Sequence, residues 1–257
     1  MPFSAFFQWN PTQHPTEDAF RFSDERGVYV VADGVTRTTQ TTGGYPPESP
    51  ATAAAERVVT VLYELLQSTP YTPENFQSAC RRANEMVKYV NERLGLWDKP
   101  DYYERDLAGA VFSGVFIAPN YYLAGYLGDC RVAHFSGEGK RKWISPDLIA
   151  PVRAYFPSLP ETKERRIIIR RDFRNKPVQG MDKTYGVLTG EDTALAYVQT
   201  VIKPYEAGDV LVVCSDGAAR LIENEGPTLC RGTEHDIRKA ISAARSNDEG
   251  TLLVIYT

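Results

Sequence analysis

The chain has 257 residues and a formal net charge of −4 at pH 7, with 42% hydrophobic and 24% charged residues. These proportions are typical of a globular protein, and the acidic balance excludes a general nucleic-acid binder with a broad basic face. No apolar run approaches the roughly 20 residues that a transmembrane helix needs. The four cysteines form no CxxC pair, and the first residues lack the basic and apolar regions of a signal peptide. We therefore expect a cytoplasmic protein that binds neither nucleic acid nor membranes.

In chain order, the hydrophobic pattern predicts short strands in two groups with amphipathic helices between and after them. Thr72-Pro73 is a helix start signal. Pro119-Asn120 and Gly128-Asp129 are turn signals, so the three strands around them are expected to form one meander. Residues 36–50 and 137–190 are predicted to be loop-rich. The predicted strands are 3–9, 18–23, 28–32, 108–118, 121–126, 131–136, 198–203, 210–214 and 252–256, and the predicted helices are 50–68, 72–94, 218–223 and 234–244.

This order of elements favours an α+β fold. Hairpin strands in two groups, with a helix pair between them and a helix near the C-terminus, fit two antiparallel sheets flanked by helices. We expect a four-layer α-β-β-α sandwich in a single domain that spans residues 1–257.

Acidic residues stand where apolar runs stop. Asp33 and Asp216 follow predicted strands, Asp129 follows another, and Asp248 precedes the last one. The pair Glu17-Asp18 precedes a strand in the same way. A carboxylate at a strand end is held by the sheet and still faces a cleft, and several together make an all-oxygen site for divalent cations. The pattern indicates a metal-dependent hydrolase.

The ordered motifs resemble one family. Glu17-Asp18, Val31-Ala32-Asp33-Gly34, Leu127-Gly128-Asp129-Cys130-Arg131, Cys214-Ser215-Asp216-Gly217 and Asp248-Glu249-Gly250-Thr251 are similar, in order and spacing, to those of bacterial-type metal-dependent protein phosphatases, the type 2C or PPM family. The resemblance implies a serine/threonine phosphatase that hydrolyses phosphoserine and phosphothreonine in a phosphorylated protein partner by a metal-activated water. It implies two Mn²⁺ or Mg²⁺ ions, with a third in some bacterial members.

The resemblance also implies a role for each acid. Asp33 would bridge two ions, with the Gly34 carbonyl on one of them. Asp216 and Asp248 would hold the other ion. Asp129 lies in the motif that helps some bacterial members hold a third.

Two further acids would act beside the ions. Glu17 and Asp18 would work partly through bound waters, so that the implied catalytic set is Asp33, Asp216, Glu17 and Asp18. Residues 137–190 lie where the family has its mobile flap. Four arginines in that stretch, Arg165, Arg166, Arg170 and Arg171, are a candidate docking surface for acidic phosphoproteins, and a solvated charged face is the alternative.

Some positions depart from the family pattern. Gln13 stands where many members have a phosphate-binding arginine, although nearby Arg37 is a second candidate for that role. Arg220 stands where the third-ion motif expects an acid, and Glu249-Gly250 replaces a more usual Asn-hydrophobic pair. The two-ion set is retained, whereas the phosphate clamp and the third ion site are altered.

Each motif by itself allows a simpler interpretation. Asp33-Gly34 fits a hairpin turn, Ser215-Asp216-Gly217 fits a helix N-cap, Asp129 fits a tight turn, and Glu17-Asp18 fits a solvated pair. A pseudophosphatase that uses this fold as a binding or regulatory module is the alternative function. The retained carboxylates favour the enzyme, because acids that repel one another without metal tend to be lost once the metal is not used.

Overall fold

The computed structural model describes residues 2–12, 15–35, 49–155, 162–180, 183–244 and 248–257. Over these ranges the strands are β1 (Phe3–Trp9), β2 (Ala19–Ser23), β3 (Val28–Gly34), β4 (Ala110–Ile117), β5 (Tyr121–Leu127), β6 (Arg131–Phe135), β7 (Arg141–Ile144), β8 (Gln199–Pro204), β9 (Val210–Cys214) and β10 (Gly250–Tyr256). They form two antiparallel sheets of five strands, in the orders β1-β10-β9-β6-β7 and β2-β3-β4-β5-β8.

Helices connect and follow the strands over the same ranges. They are α1 (Pro50–Leu66), α2 (Pro73–Arg93), α3 (Ala150–Tyr155), α4 (Lys163–Ile168), α5 (Ala219–Asn224), α6 (Gly226–Arg231) and α7 (Glu234–Ala243), and a π-helical turn (Ile169–Phe173) continues α4. The helices α1 and α2 begin as the sequence predicts, since Ser49 and Thr72 are their N-caps and each is followed by proline.

Three apolar layers hold the sandwich together. Leu62 and Phe76 of the α1–α2 pair pack on Phe112 in the β2–β8 sheet, and Leu221 and Ile237 pack on the opposite sheet. Tyr29, Val115, Leu211, Val213 and Leu253 fill the space between the two sheets. Each such side chain contributes about 1.5–3 kcal/mol through burial. The expected α-β-β-α arrangement is confirmed.

The predicted meander is wrong. Strands β4 and β5 pair with each other, but β6 leaves that sheet and pairs with β9, from Arg131 opposite Cys214 to Phe135 opposite Val210. Gly128-Asp129 is therefore a crossing between sheets. A turn signal reports that the chain reverses, and it does not specify which distant strand the next segment joins.

The topology brings the acidic motifs to one end of the sandwich. Ala19 pairs with Ala32, so Asp18 lies beside the end of β3 that carries Asp33. Leu252 pairs with Cys214, so the start of β10 lies beside the end of β9. None of the helices, over the described ranges, combines the length and apolar character that crossing a bilayer requires.

Candidate active site

Five carboxylates from four separate segments line one cavity of about 280 Å³. They are those of Asp33, Asp129, Asp216, Asp248 and Glu249. The remaining wall is largely apolar and includes Ile149, Tyr185 and Val187 from the 137–190 stretch. The structure thus brings together all four strand-end aspartates that the sequence singled out.

Glu17 and Asp18 are buried behind this cavity, with exposed fractions of 0% and 6%. The interpretation of this pair as solvated charges is therefore wrong. Ser49 Oγ donates to Glu17 Oε1, and Ser215 Oγ donates to Asp18 Oδ2 at 2.7 Å. Asp18 Oδ1 accepts no hydrogen bond from any described residue. A buried carboxylate oxygen without a donor is one that a cation or an ordered water would satisfy.

The glycines of both Asp-Gly pairs are required by close backbone contacts. A Cβ atom on Gly34 would lie 2.6 Å from the carbonyl of Ala51 at the start of α1. A Cβ atom on Gly217 would overlap the carbonyl oxygen of Glu249. Asp33-Gly34 is thus the end of β3 rather than a hairpin turn.

Ser215 occupies an N-cap position, as the simpler interpretation of its motif predicts, but its side chain has another role. It precedes a short 3₁₀ turn but makes no side-chain capping bond to it. Its hydroxyl instead donates to Asp18 and accepts from the Thr251 amide at 2.9 Å. The motif therefore connects the acid that precedes β2 to the start of β10.

Glu249 is a site residue that the sequence did not identify as one. Its two carboxylate oxygens accept from the Glu17 amide at 2.8 and 3.0 Å. It is 6% exposed, whereas Asp248 beside it is exposed. The only signal in the sequence was its position between Asp248 and the last strand, where it appeared as a departure from the family pattern.

The carboxylates raise one another's pKa. Burial, followed by the charges of Asp18 and Asp216, raises the pKa of Asp33 well above its usual range. Burial raises the pKa of Asp18 to about 7, against the opposing hydrogen bond from Ser215. Burial and the charges of Asp129 and Asp248 raise the pKa of Asp216 to about 7. Each shift reflects chiefly burial and, after it, repulsion from the neighbouring acids, and a bound cation would oppose both by favouring the charged carboxylates.

Asp129 has an arginine partner that the sequence did not predict. Arg153 Nη2 donates to Asp129 Oδ2, and Arg153 Nη1 donates to Asp147 Oδ2 at 2.6 Å. Asp147 is itself fixed by the amides of Ile149 and Ala150 at the start of α3. The Arg153 side chain remains 52% exposed. It therefore presents a cation at the edge of the acidic cavity.

The donor atoms suit hard divalent cations, since every polar side chain on the described part of the cavity wall except the Tyr185 phenol is a carboxylate. Over the described ranges, however, no group of three or more His, Cys, Asp or Glu side chains is arranged so that it could hold an ion as it stands. Carboxylates that have no cation between them repel, which opposes such an arrangement. The residue types fit the implied ions, and their side chains would have to turn inward to bind them.

Two of the four arginines proposed for docking have acidic neighbours. Arg170 Nε lies 3.2 Å from Asp106 and its side chain is 12% exposed. Arg171 pairs with adjacent Asp172. Asp106 is buried and also pairs with buried Arg174, through distances of 2.7 and 3.1 Å. The basic character of this stretch therefore serves partly to anchor it. Gln13 and Arg37 lie outside the described residues.

No protein-family model matches this sequence, and no curated protein matches it. Solved structures do match nearly the whole fold. The serine/threonine phosphatase PstP/Ppp of Mycobacterium tuberculosis is similar with a TM-score of 0.69 and 16% identity, over 99% of this chain and 98% of that one. The PstP catalytic domain in complex with two manganese ions is similar with a TM-score of 0.68 and 17% identity, over 99% of this chain and 97% of that one. The S. agalactiae serine/threonine phosphatase is similar with a TM-score of 0.66 and 17% identity, over 100% of both chains. The chain therefore has the fold of the bacterial PPM serine/threonine phosphatases.

Proposed function

We propose that this protein is a divalent-metal-dependent phosphatase that hydrolyses phosphoserine and phosphothreonine in proteins. The observation that supports it most directly is the cavity shared by five carboxylates at the end of a PPM-type sandwich. A site this acidic repels a phosphate dianion unless cations neutralise it, so the acids are useful for phosphate chemistry only as cation ligands.

Asp33, Asp216 and Asp248, with the Gly34 carbonyl, would hold two Mn²⁺ or Mg²⁺ ions. Bound there, such ions supply charge neutralisation of the phosphate and a water of lowered pKa. Glu17 and Asp18 would hold waters beside the ions, since both face the buried side of the site. Ser215 and Ser49 keep these two carboxylates oriented. Two manganese ions in the PstP catalytic domain support this assignment.

Arg153 would bind the substrate phosphate, in place of the arginine that the family usually has near position 13. Its guanidinium is already aligned by Asp147, and its second nitrogen faces Asp129. A phosphate oxygen that replaced Asp129 as acceptor would gain a charge-assisted hydrogen bond from a prepositioned fork. Asp129 would then be released toward a third cation, because this Arg153 nitrogen pairs either with Asp129 or with the phosphate at any one moment.

We infer that the described residues of the 137–190 stretch that follow β7, itself a strand of the sheet, form a flap over the site. This stretch supplies Ile149, Tyr185 and Val187 to the cavity wall, and Arg153 lies on its first helix. Apolar walls opposite the acids would exclude bulk water from the phosphate and strengthen its electrostatic contacts.

The direct test is release of inorganic phosphate from a phosphoserine peptide by protein stripped of metal and then reloaded. Activity should be absent after stripping and should return with Mn²⁺ or Mg²⁺. Metal binding is measured separately by calorimetry, so that a folded, metal-loaded protein without turnover is recognised. Full activity in the stripped protein would contradict the proposal.

A pseudophosphatase is the second candidate, and two observations favour it. Among the described residues, the carboxylates do not form an ion site as they stand, and Arg153 already neutralises Asp129. This alternative predicts that a phosphopeptide binds without turnover in saturating Mn²⁺. Substantial phosphate release under those conditions would reject it.

A further inference from the structure

A groove lies on the outer surface of the helix pair, between the first half of α1 and the last turn of α2. It encloses about 480 Å³ and includes three arginines, Arg21 on β2, Arg57 on α1 and Arg93 on α2. We call it the arginine groove. The only acid on its wall, among the described residues, is Glu56. The groove is therefore net positive in a chain whose overall charge is −4.

Two of these guanidinium groups are available to a ligand. Arg21 pairs with Glu56 at 2.9 Å. Within the described part of the chain, neither Arg57 nor Arg93 has a carboxylate within ion-pair distance, and both are exposed. Arg93 lies 6.0 Å from the centre of the Tyr89 ring. The positive charges of Arg57 and Arg93 are thus not neutralised by described carboxylates of the protein itself.

The groove also has an apolar component. Tyr89 and Leu94 are each 49% exposed and line it. Large apolar side chains exposed beside unpaired guanidinium groups are typical of a peptide-binding surface rather than of a solvated face. Tyrosine and arginine are the residue types that contribute most often to such interfaces.

The groove is close to the acidic cavity. Ser49, which donates to Glu17, is the N-cap of α1, and Arg57 follows it by about two helical turns, or roughly 12 Å. Arg21 lies three residues beyond Asp18 on an extended strand, or about 10 Å away. An extended peptide advances about 3.3 Å per residue. About three to five residues would therefore connect a phosphoserine in the cavity with a side chain in the groove.

We propose that the arginine groove binds an acidic segment of the phosphoprotein substrate, about three to five residues from the phosphorylated residue. The inference rests on the proposed function, because it assigns substrate selection to that site. Asp and Glu side chains on the segment pair with Arg57 and Arg93, and an adjacent apolar residue packs on Tyr89 and Leu94. Charge complementarity identifies this ligand. The whole chain, with a net charge of −4, repels acidic peptides, whereas the positively charged groove attracts them.

The test measures binding and turnover separately. A fluorescent phosphoserine peptide with Asp and Glu at this spacing is compared with the same peptide carrying Asn and Gln there. Binding to the Asp216→Asn protein is followed by anisotropy at low and high salt. Arg57→Glu and Arg93→Glu should each weaken binding of the acidic peptide by about tenfold, since an attraction between opposite charges becomes a repulsion between like charges. The neutral peptide should be unaffected. Arg81→Glu, an exposed charge reversal elsewhere on α2, is the matched control.

The outcomes separate this inference from the proposed function. Loss of acidic-peptide binding in the groove variants, with hydrolysis of a small phosphate ester unchanged in the Asp216-containing protein, supports the groove. Equal binding of the acidic and neutral peptides, or an equal loss of acidic-peptide binding in Arg81→Glu, overturns the groove inference. Neither result contradicts the proposed phosphatase activity. Binding with no turnover of any ester supports the groove and rejects the enzyme. If single-stranded DNA or anionic vesicles displace the fluorescent peptide from the groove more effectively than unlabelled acidic peptide does, the assignment of an acidic protein segment as the ligand is wrong. If Arg57→Glu or Arg93→Glu lowers the thermal midpoint of the protein, the measurement is repeated with Arg57→Gln or Arg93→Gln, which remove the charge without reversing it.

Discussion

Ser215 Oγ donates a hydrogen bond of 2.7 Å to Asp18 Oδ2, and these two residues are 197 positions apart in the chain. The same oxygen accepts from the Thr251 amide. One buried hydroxyl thus connects the acid before β2 with the end of β9 and the start of β10. It fixes the relative positions of three acidic motifs before any ion is bound.

Removing this hydroxyl should destabilise the protein. Ser215→Ala leaves the Asp18 carboxylate without its donor and the Thr251 amide without its acceptor, which costs about 1–3 kcal/mol of unfolding free energy. Urea unfolding measures the change. Ser113→Ala is the matched control, since buried Ser113 makes a single bond of 3.0 Å to the Cys214 carbonyl. A loss no larger than that of Ser113→Ala would contradict the linking role.

Neutralising a central acid should trade activity for stability. Asp33→Asn and Asp216→Asn each remove a proposed ion ligand, so we expect phosphate release to fall at least a hundredfold. Each also relieves repulsion among the remaining carboxylates, and the metal-free thermal midpoint should rise by about 2–4 °C, as about 1 kcal/mol does in a protein of this size. Asp98→Asn, at an exposed aspartate, should change neither quantity. A folded Asp216→Asn protein with parental activity would contradict the site.

Arg153 should matter for phosphate binding rather than for folding. Replacing it by Gln removes a fork prepositioned by Asp147, and kcat/KM for a phosphopeptide should fall about 10–100-fold, corresponding to the 1.5–3 kcal/mol of a charged hydrogen bond. Lysine should rescue only part of this loss, since it lacks the planar fork. Inhibition by inorganic phosphate is the decisive measurement, because a merely structural role would leave it unchanged. Arg141→Gln, an exposed arginine on β7, is the control.

The buried network at Asp209 predicts a pH dependence of stability. His134 Nε2 lies 2.8 Å from Asp209 Oδ2, and its Nδ1 lies 3.1 Å from the Tyr122 hydroxyl. Burial lowers the pKa of His134 below its usual 6.5, against the attraction of Asp209. The unfolded chain therefore takes up the proton more readily than the folded one. This contribution to stability is complete above pH 6.5 and is lost as the pH falls below it.

Comparing His134→Gln with the parent isolates that contribution. Between pH 7.5 and pH 5, acids elsewhere titrate equally in both proteins, so the difference between their urea midpoints should shrink as the pH falls. A constant difference across this range would show that His134 does not titrate within it.

The sequence by itself determined most of the strands, the long helices and the acidic character of one end of the fold. The apolar periods of α1 and α2 and the cap at Thr72 predicted both helices within two residues of their ends, because amphipathic period and capping are local properties. The strand-end positions of Asp33, Asp129, Asp216 and Asp248 predicted an acidic site, because a strand end both fixes a side chain and exposes it.

Tertiary structure alone decided which strands pair and which residues serve the acids. The move of β6 into the second sheet depends on pairing with β9, some 80 residues later, and no local signal encodes that partner. The contacts of Arg153, Ser215 and Glu249 with the acidic segments were not predicted, since each joins residues that are distant in the chain. Arg174, which follows the four arginines of the basic stretch, is buried against Asp106. Burial of a charge is a property of the packed chain, so only the folded structure could reveal it.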